Sequence, residues 1–187
     1  MKTFILCITF FITNQKLQSQ SVFLKDLGQN KKFDSPIENP VKVKKYRGLK
    51  FCERKSKLFF DTLSYESKLN NRESAAILIL INPLGQKVSF RIWKVDIDAG
   101  ANEKIKIVSI RGQGISDPYA QLSGDSGPGG MHIQVRSVNG DYFIEPYYPK
   151  SSKKYISYFR SDLAENVRPP DKLEESNLPV RQPPIKN

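Results

Sequence analysis

The 187-residue chain carries 30 lysines and arginines against 19 aspartates and glutamates, with one histidine and two cysteines. That length supplies one domain with an ordinary core once its ends are set aside. The single histidine excludes a zinc-hydrolase helix, which needs two at positions i and i+4 with a glutamate between them.

Residues 1–20 read as a secretory signal peptide, with Lys2, the apolar block from Phe4 to Ile12 and polar residues ending in Ser19-Gln20. The block falls far short of the roughly 20 residues that span a bilayer, so no stable membrane span is expected. Cys7 lies inside the block with no small-residue box before it, which argues against a lipidated anchor. Removing the leader takes Lys2 and Lys16 from the 30 basic residues, leaving 28 against 19 acids and a net charge of +9. Cys52 then stands alone, so no intrachain disulfide is available.

Residues 21–40 read as a polar extended arm in which only Val22, Phe23, Leu24 and Leu27 could dock, with Ser35-Pro36 and Asn39-Pro40 as breakers. A β-rich domain is expected over 41–163. Its first segment, Val41 to Phe51, is basic and partly alternating and fits an edge strand. The segment Glu53 to Lys68 sets Leu58, Phe59, Thr62 and Leu63 at helical spacing and predicts one amphipathic helix. Ala75 to Ile81 is apolar on both parities, as suits a strand buried on both faces. It ends at Asn82-Pro83-Leu84-Gly85, a turn leading into the alternating return strand Lys87 to Trp93. Further strands are expected at Lys104 to Ile110, Tyr119 to Gly124, Met131 to Val138, Asp141 to Glu145 and Lys154 to Arg160. Asn139-Gly140 predicts a tight type I′ hairpin, and Gly124 to Gly130 a mobile turn. The fold class is α+β, mainly β: an antiparallel sheet or sandwich of short strands with one amphipathic helix packed on it. Residues 164–187 hold five prolines, no aromatic residue and four acids against four bases, and read as a flexible tail or linker.

Weighed singly, the candidate sites favour structural roles. The lone His132, between Met131 and Ile133, reads as structural. Asp117-Pro118 and Glu145-Pro146 read as turn entries, because acid and base chemistry would need the two carboxylates to converge in one cleft with split pKa values. Gly112-Gln113-Gly114 lacks the third glycine and the lysine-serine ending of a phosphate loop. Asp125 and Ser126 are too few oxygen ligands for calcium. Cys52 could coordinate a partner protease's zinc, but Phe51 and Glu53 give no support for that, and a semi-buried inert thiol is expected. The densest basic run, Lys42, Lys44, Lys45, Arg47 and Lys50 followed by Arg54, Lys55 and Lys57, has no interleaved aromatics. It reads as a solvated face rather than a nucleic-acid surface.

Taken in order, the pieces resemble the N-terminal propeptide domain of secreted bacterial reprolysin-like (M12B-type) zinc metalloproteases. They are the helix around Leu58 to Leu63, the hairpin through Asn82-Pro83-Leu84-Gly85 to Phe90, Gly112-Gln113-Gly114 leading to Asp117-Pro118, Gly130-Met131-His132, Tyr142 to Glu145-Pro146-Tyr147, and Tyr155 to Arg160 and Leu163. The resemblance covers about Val41 to Leu163. It implies an exported, non-catalytic domain without a cofactor that assists folding of a zinc protease domain and keeps it latent, in cis in a severed precursor or in trans as a free-standing protein. It supplies no catalytic residues. The second reading is an extracellular or cell-surface module whose basic face binds anionic glycans or an acidic protein.

Overall fold

The computed structural model describes residues 20–21, 23–33, 43–96, 107–148 and 153–164. The leader up to Ser19, the two X-Pro breakers of the arm, Lys42, Lys104 to Lys106 and the tail from residue 165 onward lie outside the described residues. Ten strands form one sheet: β1 Gln20–Ser21, β2 Leu24–Gln29, β3 Arg47–Phe51, β4 Ala76–Ile81, β5 Lys87–Lys94, β6 Val108–Gly114, β7 Gln121–Gly127, β8 Gly130–Arg136, β9 Tyr142–Pro146 and β10 Lys154–Phe159. Strands β4 to β10 are successive antiparallel neighbours, and β3 and then β2 continue beyond β10. Among the described strands, only the two-residue β1 pairs with its neighbour in parallel, on β4. The molecule is therefore mainly β, a curled antiparallel sheet of nine strands with one α-helix among the described residues, α1 (Glu53–Thr62), and not a sandwich.

Alternation along the strands builds the core. Phe90 and Ile92 of β5, Ile110 of β6, Leu122 of β7, Met131, Ile133 and Val135 of β8 and Ile144 of β9 all turn to the inner face, where each is at most 2% exposed. Helix α1 lies against this face through Ser56, Phe59 and Phe60, with Leu63 just beyond its end. The buried set thus differs from the expected stripe: Leu58 is 61% exposed, and Phe60 takes its place because its ring meets Phe23 at 5.7 Å. The helix is also shorter than expected. The Ser64 carbonyl accepts a bond from the Lys94 amide at 2.9 Å, which draws the chain off the helix axis towards β5.

Two other expectations change for the same reason, burial of Phe23 and Leu24. Much of the segment read as a polar arm is strand β2, and β3, read as an edge strand, is covered by it. Since β1 and β2 are near neighbours in sequence, one stretch of chain pairs with both ends of the sheet, β4 through Gln20 and Ser21 and β3 through Leu24 to Gln29. Arg47 reinforces this closure from β3. It donates to the Asp26 carboxylate of β2 at 2.7 Å and to the carbonyls of Pro83 and Leu84, in the β4–β5 turn, at 3.2 Å each. Burial pushes the Asp26 carboxyl up, but the Gly28 amide and Arg47 outweigh it and hold the group below its ordinary value. Arg47 therefore leaves the solvated basic face, on which Lys44, Lys45, Lys50, Arg54, Lys55 and Lys57 remain exposed.

The turns also refine the expected register. Between β8 and β9 the turn is Ser137 to Gly140, closed by the Gly140 amide on the Ser137 carbonyl at 3.1 Å. Only Gly140 has a positive φ, at 107°, so the type I′ geometry expected from Asn139-Gly140 is not adopted. The Gly124 to Gly130 stretch is mostly strand: β7 runs to Gly127, which pairs with Gly130 across Pro128-Gly129.

Replacing Arg47 by alanine removes three hydrogen bonds from a side chain only 17% exposed. The expected cost is about 2 kcal/mol, read as a lower denaturant midpoint at unchanged m-value. Phe23→Ala, which strips a ring packed on Phe51, Phe59 and Phe60, should cost about 3–5 kcal/mol in the same assay.

Candidate functional site

The face opposite the core carries the polar chemistry. On β8 the residues between Met131, Ile133 and Val135 are His132 and Gln134, and on β9 the residues flanking Ile144 are Phe143 and Glu145. Hairpin register then lines them up. Ser109 of β6 faces Asp125 of β7, Asp125 faces His132, and the next step beyond the Ile133–Ile144 pair sets His132 opposite Glu145. One cross-strand row thus holds two carboxylates with an imidazole between them.

Glu145 is buried, its side chain 9% exposed, and accepts a 2.8 Å hydrogen bond on Oε1 from the hydroxyl of Tyr158 on β10. Its Oε2 lies 3.9 Å from His132 Nδ1, a distance for charge attraction rather than a hydrogen bond. The Glu145 carboxylate raises the His132 pKa above its ordinary value against the opposing effect of burial, and Asp125 adds to the rise. Burial likewise pushes Asp125 up, with His132 pulling the other way. Tyr158 is held protonated by burial and by Glu145.

The row opens into a cavity of about 680 Å³ whose charged walls include Glu66, Lys94, Arg111, Asp125 and Glu145 together with His132. Glu66 belongs to a single 3-10 turn, Glu66–Lys68, that follows α1 and forms one rim. Its carboxylate pairs with Arg72 at 2.8 Å, and the Arg72 guanidinium stacks 4.9 Å above the ring of Trp93. Lys94 donates to the Asp61 carbonyl at 3.2 Å and lies over the Tyr65 ring.

The residues singled out by sequence take up distinct places. Gly112 and Gly114 lie within β6. A Cβ on Gly112 would approach Ile92 Cγ2 to 2.6 Å, and one on Gly114 would run into the Asp117 carbonyl oxygen, so both glycines serve close backbone packing. Asp117 caps the β6–β7 turn by accepting from the Tyr119 amide at 3.1 Å, and the Pro118 carbonyl accepts from Gln113 Nε2 at 2.9 Å. Gly130 combines φ 109° with a neighbourhood in which a Cβ would meet Pro146 at 2.7 Å and the Tyr155 hydroxyl at 2.8 Å. That hydroxyl accepts from the Met131 amide at 2.8 Å. Tyr147 packs its ring on Phe33, Tyr46 and Tyr148, and Arg160 pairs with Asp141 at 3.8 Å. Cys52 precedes α1 and is exposed, not semi-buried: its amide and carbonyl are spent on Phe23 and Ser56, which leaves the side chain outside.

Asp117 and Glu145 do not converge. Asp117 lies in the turn before Gln121, whereas Glu145 is level with Asp125, about 13 Å further along β7 at the usual strand rise. The partners that Glu145 does have, His132 and Tyr158, and Asp125 beyond His132 were each legible as residues but not as a set. Counting outward from the two turns would have found them: His132 and Glu145 stand five residues from either end of the Ser137 to Gly140 turn. Among the described residues no group of three His, Cys, Asp or Glu side chains is placed to hold a metal ion. Compared with family models, characterised proteins and solved structures, the chain has no match.

Because the His132 pKa is higher in the folded chain, its contribution to stability is complete below the ordinary imidazole value and is lost as pH rises through the folded value. The melting temperature of wild type relative to His132→Asn should therefore fall between about pH 5.5 and 8. Thermal melts of the two proteins across that range provide the check, and Glu145→Gln should flatten the difference. The raised Asp125 acts in the same direction, but around the lower carboxylate range.

Proposed function

We propose that this chain is a secreted, non-catalytic propeptide-like domain that binds a reprolysin-like zinc metalloprotease domain, assisting its folding and holding it latent by covering its cleft. The observation that carries the reading is the spatial unity of the motifs behind the resemblance. From Gly112 to Leu163 they fall on β6 to β10, five consecutive neighbours in the sheet, and the short 3-10 turn that follows. Their residues also interlock: Gly130 with Pro146 and Tyr155, and His132 with Glu145 and Tyr158. Motifs that are weak one by one thus behave as parts of one framework, as expected of an inherited domain rather than of chance matches. A rigid curled sheet also suits a role in which binding energy is spent on a partner rather than on ordering the binder.

Residues 21–187 should inhibit, saturably and reversibly, a reprolysin-like catalytic domain encoded in the same genome, and should raise its yield on refolding. Fluorogenic peptide hydrolysis titrated with the purified domain measures the first, and recovered activity after dilution from denaturant the second. Neither effect on any such catalytic domain would sink the proposal.

A further inference from the structure

The outer face carries a second cavity, of about 410 Å³, that shares Glu66 and Arg111 with the first. Its charge is of the opposite sign: Arg72, Arg111 and Arg136 stand in its wall against the single carboxylate of Glu66, which already pairs with Arg72. Sheet register orders the wall. Arg111 of β6 lies directly across from Trp93 of β5, and Gln113 of β6 across from Gln121 of β7. Trp93 projects to the outer face because Ile92 beside it projects inward, and it belongs to neither apolar cluster. It is nevertheless only 4% exposed, with the Arg72 guanidinium lying over its ring. Its indole Nε1 is buried and has no hydrogen-bond partner. An indole N–H is a donor only, so nothing but an acceptor relieves the cost of burying it. Arg111 is exposed, and among the described residues its side chain enters no ion pair or hydrogen bond. A buried donor without an acceptor, next to an unengaged guanidinium and under a second one, calls for an oxyanion.

We propose that this cavity binds an acidic sugar, a hexuronate unit whose carboxylate is held by the Arg111 guanidinium and the Trp93 indole N–H. Residues directly opposite on neighbouring strands have Cβ atoms about 5 Å apart, so these two side chains reach one carboxylate. The rest of the wall selects the body that carries it. Gln113 spends an amide N–H on the Pro118 carbonyl at 2.9 Å, which leaves its amide oxygen to accept, while Gln121 offers both a donor and an acceptor. Such groups match ring hydroxyls rather than an apolar stem, and the volume of about 410 Å³ exceeds what a bare anion fills. Arg72 is the cover that shifts as the ligand reaches the indole. Its side chain is 61% exposed, and a surface ion pair such as the one it makes with Glu66 costs little to break. Arg136, across from Gln121, adds positive charge at the far side of the cavity. The inference goes beyond the protease reading and is measured without a protease, so either can fail alone.

Trp93 is the only tryptophan of the chain, so the single indole N–H signal in a proton–nitrogen NMR spectrum of the full chain reports on the site. The test is a titration with glucuronate at constant ionic strength, beside parallel titrations with glucose, acetate and N-acetyl-glutamate amide. The expected result is saturable downfield movement of the indole signal with glucuronate, weaker binding of acetate and no movement with glucose. Arg111→Gln, at an exposed residue on which no contact of the fold depends, should bind glucuronate about tenfold more weakly, as the loss of one charge-assisted bond implies. Gln121→Ala should weaken glucuronate and leave acetate unchanged. An indole signal that does not move, equal binding by Arg111→Gln, or acetate bound as tightly as glucuronate, the mark of an adventitious ion only, would overturn the proposal. Tighter binding of N-acetyl-glutamate amide would overturn it too, by assigning the cavity to an acidic protein side chain.

Discussion

Everything in this molecule depends on how the two ends of its sheet are brought to one piece of chain. A nine-strand sheet that twists as sheets do must either stop at two open edges or bend until something covers both. Here the stretch from Gln20 to Gln29 covers both, with Phe23 as its anchor between the pairings. The anchor works because Phe23 enters an aromatic cluster with Phe51, Phe59 and Phe60, so helix α1 and the closure are stabilised by the same apolar contacts. Arg47 complements this on the polar side. Its fork satisfies a carboxylate on β2 and two carbonyls of the β4–β5 turn, three groups that would otherwise compete for water at the seam.

Closure fixes the curl, and the curl fixes which face is filled. The inner face packs continuously from Leu49 to Tyr155, so a strand cannot slip by one residue without moving its whole apolar set to the wrong side. The outer face inherits its order from that constraint. His132 and Glu145 project outward because Met131, Ile133 and Ile144 must project inward. Further along the same outer face, Phe143, Ile156 and Tyr158 form a second, smaller apolar cluster with Tyr147 and Leu163 against it. That cluster keeps water from one side of Glu145 while the cavity leaves the other open, and the asymmetry is what makes the carboxylate chemically distinctive.

Much of this was written in the residues. The β4–β5 hairpin, the inward parity of β8 and the general β character follow from alternation and from Asn82-Pro83-Leu84-Gly85, whose turn is closed by the Gly85 amide on the Asn82 carbonyl. The helix stripe was misjudged at Leu58 because periodicity gives an apolar arc, not its centre, and the centre is chosen by Phe23, a partner distant in sequence. The site was missed for a sharper reason. Reading Asn139-Gly140 as a two-residue turn sets Val138 opposite Asp141 and therefore His132 opposite Tyr147, whereas the four-residue turn moves the register by two and brings Glu145 across. Closure by Arg47 left no local signal at all, since a basic residue inside a basic run looks solvated until the opposite end of the sheet arrives beside it.

The glycines of the recognisable motifs gain their meaning from the same register. Gly112 lets β6 approach β5 where a methyl group would strike Ile92, and Gly124 does so on β7, where a Cβ would run into the His132 carbonyl oxygen. Gly130 turns the chain at the start of β8 and leaves room for Pro146 and for the Tyr155 hydroxyl that receives the Met131 amide. Gly124 and Gly130 lie on the strands that carry Asp125 and His132, whereas Gly112 sets β6 against β5. The identity of the row Asp125, His132, Glu145, two carboxylates around one imidazole on the outside of a basic domain, is the feature that packing alone does not require.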